Sequence, residues 1–210
     1  MKFLLIDDHK IIREGLKQIL LMHFPSSTFD EGACAEDVLK NISTSEYDLV
    51  ICDLSMPGRS GLDVLKQVKE TKPKLPVLIL SMHPDEHYAV RAIKAGAWGY
   101  VNKSDGAEVL IPAIQRIVQG RKFIPDEIAQ LLAGNLTIHD AGEDRLHENL
   151  SGREFDIFKL LVEGKSISDI AQQLSLGLST VSTHRARILT KMNMKSNAEL
   201  VKYAIQNKLI

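Results

Sequence analysis

Long hydrophobic runs are missing from these 210 residues. No stretch approaches the roughly 18 consecutive apolar residues that a spanning helix needs, so no transmembrane segment is expected. The opening residues, MKFLLIDDHK, carry an apolar run of only four residues before two aspartates. That is too short for the core of a secretory signal peptide. Cysteine is scarce as well: Cys34 and Cys52 are the two in the chain, too few for a disulfide framework and suited to buried thiols in a reducing cytoplasm. Neither G-x-G-x-x-G nor G-x-x-x-x-G-K-[ST] follows any apolar run, which disfavours dinucleotide and nucleoside-triphosphate chemistry. An excess of one charge is also lacking overall, with a net of −1.

That near-neutrality hides an asymmetry. Residues 1–120 hold 14 basic and 16 acidic side chains, whereas residues 151–210 hold 9 basic and 5 acidic ones. From Gly177 onward six basic residues face one acid, Glu199. A basic C-terminal unit on an acidic body points to a polyanionic partner for that unit alone.

The two regions also differ in pattern. Phe3-Leu4-Leu5-Ile6, Asp48–Cys52, Pro76–Leu80 and Trp98–Val101 read as buried strands, and Thr28–Ala33 as a weaker one. Helical spacing recurs over Ile11–Met22 and near 35–42, 61–70, 85–95 and 106–119, with Pro112 expected to kink or delay the last of these. Alternating strands and helices imply a parallel sheet covered on both faces. Right-handed crossovers leave few topologies, of which the flavodoxin-like order 2-1-3-4-5 is one. A short helix is expected from Pro125 to Ala133, then a linker over Gly134–Asn149. The last 60 residues read as four short helices, with helix starts marked by Ser151–Glu154, Ser166–Asp169, Ser179 and Ser196–Glu199. The division is an α/β domain over 1–121, helix and linker over 122–145, and a helical domain over 146–210.

In an open parallel sheet, ligands bind beyond the carboxyl ends of the strands. Asp7 and Asp8 follow the first strand, Asp53 ends the third, Ser81 the fourth, and Asn102-Lys103 the fifth. Singly, each reads as a helix cap or a solvated side chain. Together, three carboxylates in one place repel unless a cation joins them. Oxygen ligands suit Mg²⁺, Lys103 supplies a positive charge for a phosphoryl group, Ser81 supplies a hydroxyl, and Asp53 could act as the nucleophile.

The motifs Ile6-Asp7-Asp8-His9, Asp53-Leu-Ser-Met-Pro57-Gly58, Ser81, Gly96-Ala97 with Tyr100, and Lys103 resemble the receiver domain of bacterial response regulators. The resemblance implies that Asp53 is the phosphoacceptor. It further implies that Asp8, Asp53 and the Ser55 carbonyl hold Mg²⁺ directly and Asp7 through water. Lys103 would bridge the phosphoryl group to an acid, and Ser81 and Tyr100 would move together as a switch. Ser81 stands where Thr is commoner. Ser104 stands where many receivers have Pro, so a cis peptide there loses its usual residue. Met82 is bulky where a small residue is common, and is read as shielding the site.

The second region is similar to the LuxR/NarL-type helix-turn-helix, on Leu150–Glu154, Leu161–Ser166, Asp169-Ile-Ala171, Thr180-Val181, His184, Ile188 and Lys191-Met192. Gly177 is read as serving the turn, and a helix over about 179–192 as entering the major groove. Phosphate contacts are expected from Thr180, Arg185, Lys191 and Lys195, and base contacts from Ser182, Thr183, Ala186 and Arg187. The chain is thus read as a cytoplasmic DNA-binding response regulator and not an enzyme. Its expected partners are a sensor histidine kinase, double-stranded DNA and, once phosphorylated, a second copy pairing through a last helix near 197–207; no membrane partner is expected. A haloacid-dehalogenase-like phosphatase would need a second Asp two positions after Asp53, where Ser55 stands. The sequence names neither stimulus nor operator.

Overall fold

A computed structural model describes residues 1–82, 86–137 and 145–210. The chain divides into two compact units, Met1–Ala141 and Gly142–Ile210. In the first, β1 (Lys2–Ile6), β2 (Thr28–Gly32), β3 (Leu49–Asp53), β4 (Val77–Ser81) and β5 (Gly99–Asn102) alternate with helices. These are α1 (Lys10–His23), α2 (Ala35–Thr44), α3 (Gly61–Thr71), α4 (Glu86–Lys94) and α5 (Gly106–Val118), with α6 (Asp126–Thr137) following. Every strand pairing is parallel and the order is β2-β1-β3-β4-β5, the flavodoxin-like order expected.

Because strand side chains alternate between faces, Phe3, Leu5, Leu49, Ile51, Leu78 and Leu80 turn to one side. There they bury against Leu16 and Leu20 of α1 and Leu110 and Ile114 of α5. Helices α2, α3 and α4 lie side by side in sequence order. All five residues of β3 and of β4 are buried, which explains why these strands read as unbroken apolar runs. Edge strand β2 is only partly buried and carries the weaker signal.

Several expectations need correction. Pro112 lies inside α5 without delaying or ending it. Helix α6 runs on to Thr137, and a 3-10 turn spans Leu146–Asn149. The expected linker is therefore partly helical, while its residues 138–144 lie outside the described residues. Asp85, expected in the fourth helix, lies outside them too. The peptide bonds among the described residues are trans, Lys103–Ser104 included.

The second unit holds α7 (Gly152–Val162), α8 (Ile167–Gln173), α9 (Leu178–Lys191) and α10 (Asn197–Gln206). Phe155, Phe158, Ile170, Val181, Ile188, Leu200 and Ala204 form its core. Full capping boxes start α7 at Ser151 and α8 at Ser166. At α10, Ser196 caps Glu199 N–H, but the Glu199 carboxylate accepts from Lys195 N–H instead of closing the box. Ser179 caps nothing: Gly177 is the N-cap of α9, with extended backbone at φ −72°. The left-handed residue of the turn is Ser175, at φ 52°. Below these helices His147 Nδ1 lies 2.7 Å from the buried hydroxyl of Tyr203 on α10.

Candidate functional site

Strand order reverses between β1 and β3, so their carboxyl ends flank a crevice. Asp7 follows β1 and is 1% exposed, Asp53 ends β3 at 4%, and Ser81 ends β4 at 0%. The β4–β5 register puts Ser81 opposite Asn102, which delivers Lys103 to the same corner. Lys103 Nζ sits 2.7 Å from Asp7 Oδ2 and 2.9 Å from Asp53 Oδ1. The ammonium therefore bridges two buried carboxylates.

Electrostatics follow from that geometry. Burial pushes the Asp53 carboxyl above its ordinary value, and the hydrogen bond and charge of Lys103, with a backbone N–H from Ser55, pull against it. For Lys103 burial acts to lower the ammonium, and the bonds to Asp7 and Asp53 overcome it, leaving the group raised. Cys52, directly before Asp53, is fully buried, and burial pushes its thiol far up.

Asp7 is held on every side. Its Oδ1 accepts from His9 N–H at 2.8 Å, and its backbone carbonyl accepts from Arg13 Nη1 at 2.6 Å. Arg13 in turn binds Glu31 of β2, and so does Lys17. Asp8 is different: its Oδ1 is buried and makes no hydrogen bond, with His9 Nδ1 in contact at 3.2 Å. A buried carboxylate oxygen without a hydrogen bond is costly and fits a cation site. The oxygen-rich donor set suits Mg²⁺, so the fit is good for Asp7 and Asp8 as carboxylate ligands. Ser55 is exposed, and its N–H is what reaches Asp53. Tyr100 is buried on β5. Met82, the residue after Ser81, is 66% exposed.

Sequence reasoning missed Arg13, and also Gly61. A Cβ on Gly61 would stand 2.1 Å from the Asp53 carbonyl oxygen and 2.8 Å from Leu54 Cα. Only glycine lets α3 start against the end of β3. Arg13 had a signal, since it lies one helical turn after His9.

The second unit presents one face of α9. Thr180, Ser182, Thr183, Ala186, Arg187 and Lys191 are exposed there, and Lys195 beyond it, while Val181 and Ile188 face inward. Two of the expected phosphate contacts already have intramolecular bonds. Arg185 Nε donates to Asn197 Oδ1 at 2.8 Å. Lys191 Nζ lies 2.6 Å from Glu154 Oε2, whose side chain is 4% exposed. Burial alone would raise the Glu154 carboxyl, but Lys191 and the Ser151 N–H hold it below its ordinary value. The pairing ties α9 to the start of α7. On α10, the helix expected to pair two copies, Leu200 and Ala204 are buried, Val201 is half-buried and Ile205 is exposed.

A prediction follows for Lys191. A depressed acid stabilises the fold above its unfolded value and loses that contribution as pH falls through its folded value. Lys191→Met should therefore lower stability at neutral pH by about 1 kcal/mol, the half-exposed lysine being discounted for screening, and by less as Glu154 protonates. Urea unfolding followed at both pH values checks this. Equal stability of variant and wild type at neutral pH would show the pair to be inert.

Two family descriptions match the chain: "Response regulator receiver domain" over residues 3–115 and "Bacterial regulatory proteins, luxR family" over residues 148–204. The oxygen regulatory protein NreC of Staphylococcus carnosus is 33% identical over 100% of this chain and 99% of its own length. The response regulator UvrY of Escherichia coli is 30% identical over 98% of this chain and 94% of its own. Among solved structures, the RcsB–DNA complex covers 97% of this chain and 96% of RcsB at 23% identity and TM-score 0.59, a likeness of fold. A LuxR-family response regulator from Aurantimonas covers 65% of this chain and 97% of itself at 32% identity, TM-score 0.58.

Proposed function

Because this chain belongs to the response regulators that join a receiver domain to a luxR-type helix-turn-helix, we propose that Asp53 takes a phosphoryl group and thereby controls DNA binding by α9. The chain is a regulator of transcription and not an enzyme. The observation that carries the proposal is the Lys103 ammonium set between Asp7 and Asp53, at 2.7 and 2.9 Å.

A carboxylate oxygen of Asp53 attacks the phosphorus of a phosphohistidine on a partner kinase. The P–N bond breaks as the O–P bond forms, and the imidazole leaves. Mg²⁺ held by Asp7, Asp8, Asp53 and the Ser55 carbonyl would offset the negative charge gathered there. Lys103 opposes the effect of burial on Asp53 and stands ready to pair with a phosphoryl oxygen. The Ser81 hydroxyl donates to another. Tyr100 then changes its packing with Ser81, which biases the receiver toward a dimer.

In the output unit, Thr180, Arg185, Lys191 and Lys195 set affinity through phosphates, while Ser182, Thr183, Ala186 and Arg187 read bases or groove shape. For Arg185 and Lys191 this requires exchanging Asn197 and Glu154 for phosphate oxygens. Two copies would pair through Val201 and Ile205 of α10 on a pseudo-palindromic duplex. The domain boundaries near 121 and 146 and a cytoplasmic location belong to the same reading. No described helix is long and apolar enough to cross a membrane.

The test combines two measurements. Incubation with a competent histidine kinase, ATP and Mg²⁺, followed by peptide mapping, should place the label on Asp53. Affinity for target duplex should rise on labelling and fall steeply with salt. Label on another residue, or duplex binding indifferent to salt, overturns the reading.

A further inference from the structure

We infer that α9 selects its duplex through thymine: methyl groups of Leu178, Thr183 and Ala186 meet the C5-methyl groups of thymine in the major groove. The inference rests on the reading of α9 as the helix that enters that groove.

What α9 can offer a base edge follows from its exposed side chains. Leu178 is its first residue and is 59% exposed. A lone exposed leucine is ordinary on a protein surface. This one begins the second helix of a helix-turn-helix, whose amino-terminal residues reach the base edges. Ser182 and Ala186 follow four and eight positions on, along the same side of the helix. Both are exposed and short, so neither holds the helix away from the bases. Thr183 beside them is exposed too, and its hydroxyl donates to Ser179 O at 2.9 Å. That hydrogen is spent inside the helix, so Thr183 donates to no base while the bond stands. The Thr190 hydroxyl turns back in the same way, onto Ala186 O at 3.0 Å.

A face of this kind brings methyl groups to the groove and few donors. Guanine shows the major groove two acceptors, which call for a long donor such as Arg or Lys. Thymine shows the C5-methyl, which suits an alanine, a threonine methyl or another small apolar group. The stretch from Leu178 to Ala186 covers about 12 Å of helix, the rise of about four base pairs. The contacted thymines therefore lie within one run of that length. Arg187, half a turn round the helix from Leu178, supplies the long donor for a guanine beside the run. Removing one buried methyl from such a contact is worth about fourfold in affinity.

The experiment uses the full chain and a duplex that it selects from a random pool. Each thymine is replaced in turn by deoxyuridine, which removes the C5-methyl and keeps every hydrogen-bonding group of the base. In the wild type, uracil should weaken binding about fourfold at two or more thymines within one run of about four base pairs, and less than twofold elsewhere. Leu178→Ala and Thr183→Ser strip methyl groups from the protein side, and the second keeps the hydroxyl. Each variant should bind the thymine and uracil duplexes alike at one of those positions. Circular dichroism certifies folding of each variant. Undiminished binding to every uracil duplex overturns the inference. So does a loss that persists in full in both variants, or a selected consensus without thymine. These three outcomes leave DNA binding by α9 standing. Duplex binding that does not fall with salt overturns that reading and the inference with it.

Discussion

Gly61→Ala is expected to lower the stability of the receiver unit by about 3 kcal/mol or more, a drop in melting temperature on the order of 10 °C. The added methyl would meet the Asp53 carbonyl oxygen at 2.1 Å and Leu54 Cα at 2.8 Å. Both are backbone, so no side-chain rotation relieves the overlap. Gly61 N–H donates to Leu54 O at 2.8 Å, and Ser60, fully buried, caps α3 by accepting from Leu62 N–H. Backing α3 away would break these bonds and shift the peptide that carries Asp53. Phosphoryl labelling should fall with stability. Thermal unfolding followed by circular dichroism checks the first part. A variant as stable as wild type would mean that α3 can start farther from β3 at no cost.

Removing Lys103 should have an effect of similar size, with a pH signature of its own. Lys103→Met leaves Asp7 and Asp53 buried with no cation between them, which should cost about 3 kcal/mol at neutral pH. The ammonium is raised in the fold, so its contribution is complete below its ordinary value of 10.5 and is lost as pH climbs through the folded value. Asp53 is raised too: its contribution is complete below the ordinary 3.8 and is lost as pH climbs through its folded value. Without Lys103 that carboxyl rises further, so the variant's deficit should grow as pH goes from about 4 to 7. Labelling at neutral pH should fall about a hundredfold, as when one preorganised charge is removed from a transition state. Urea unfolding at several pH values, beside initial labelling rates, tests both. A deficit that does not vary with pH would rule out carboxylate repulsion as its cause.

The receiver was legible in the sequence because its central strands β3 and β4 are buried on both faces and its strands end at charged or polar residues. Asp7, Asp53 and Lys103 each sit where an apolar run ends, and the structure brings them together as the run ends implied. Partners across the fold were not legible. Nothing local says that Lys191 reaches Glu154, 37 positions away: the same glutamate reads fully as the end of a capping box, which it also is. Arg185 and Asn197 join two helices in the same silent way. Ser179 looked like a cap because serine favours helix starts, but the helix begins two residues earlier, with Gly177 at its N-cap. Gly61 gave no signal either, since what it must avoid is backbone from another element.

Parallel pairing has a consequence for how the site comes into being. Each strand of the corner meets its neighbour only after an intervening helix has been made, and Lys103 follows Asp53 by 50 positions. A chain leaving the ribosome therefore carries its acceptor aspartate long before the lysine that is to sit beside it. Until β5 docks against β4, Asp53 has neither its counter-charge nor a closed crevice around it. Chemical competence of this corner is a property of the completed sheet, and it arrives last in the order of synthesis.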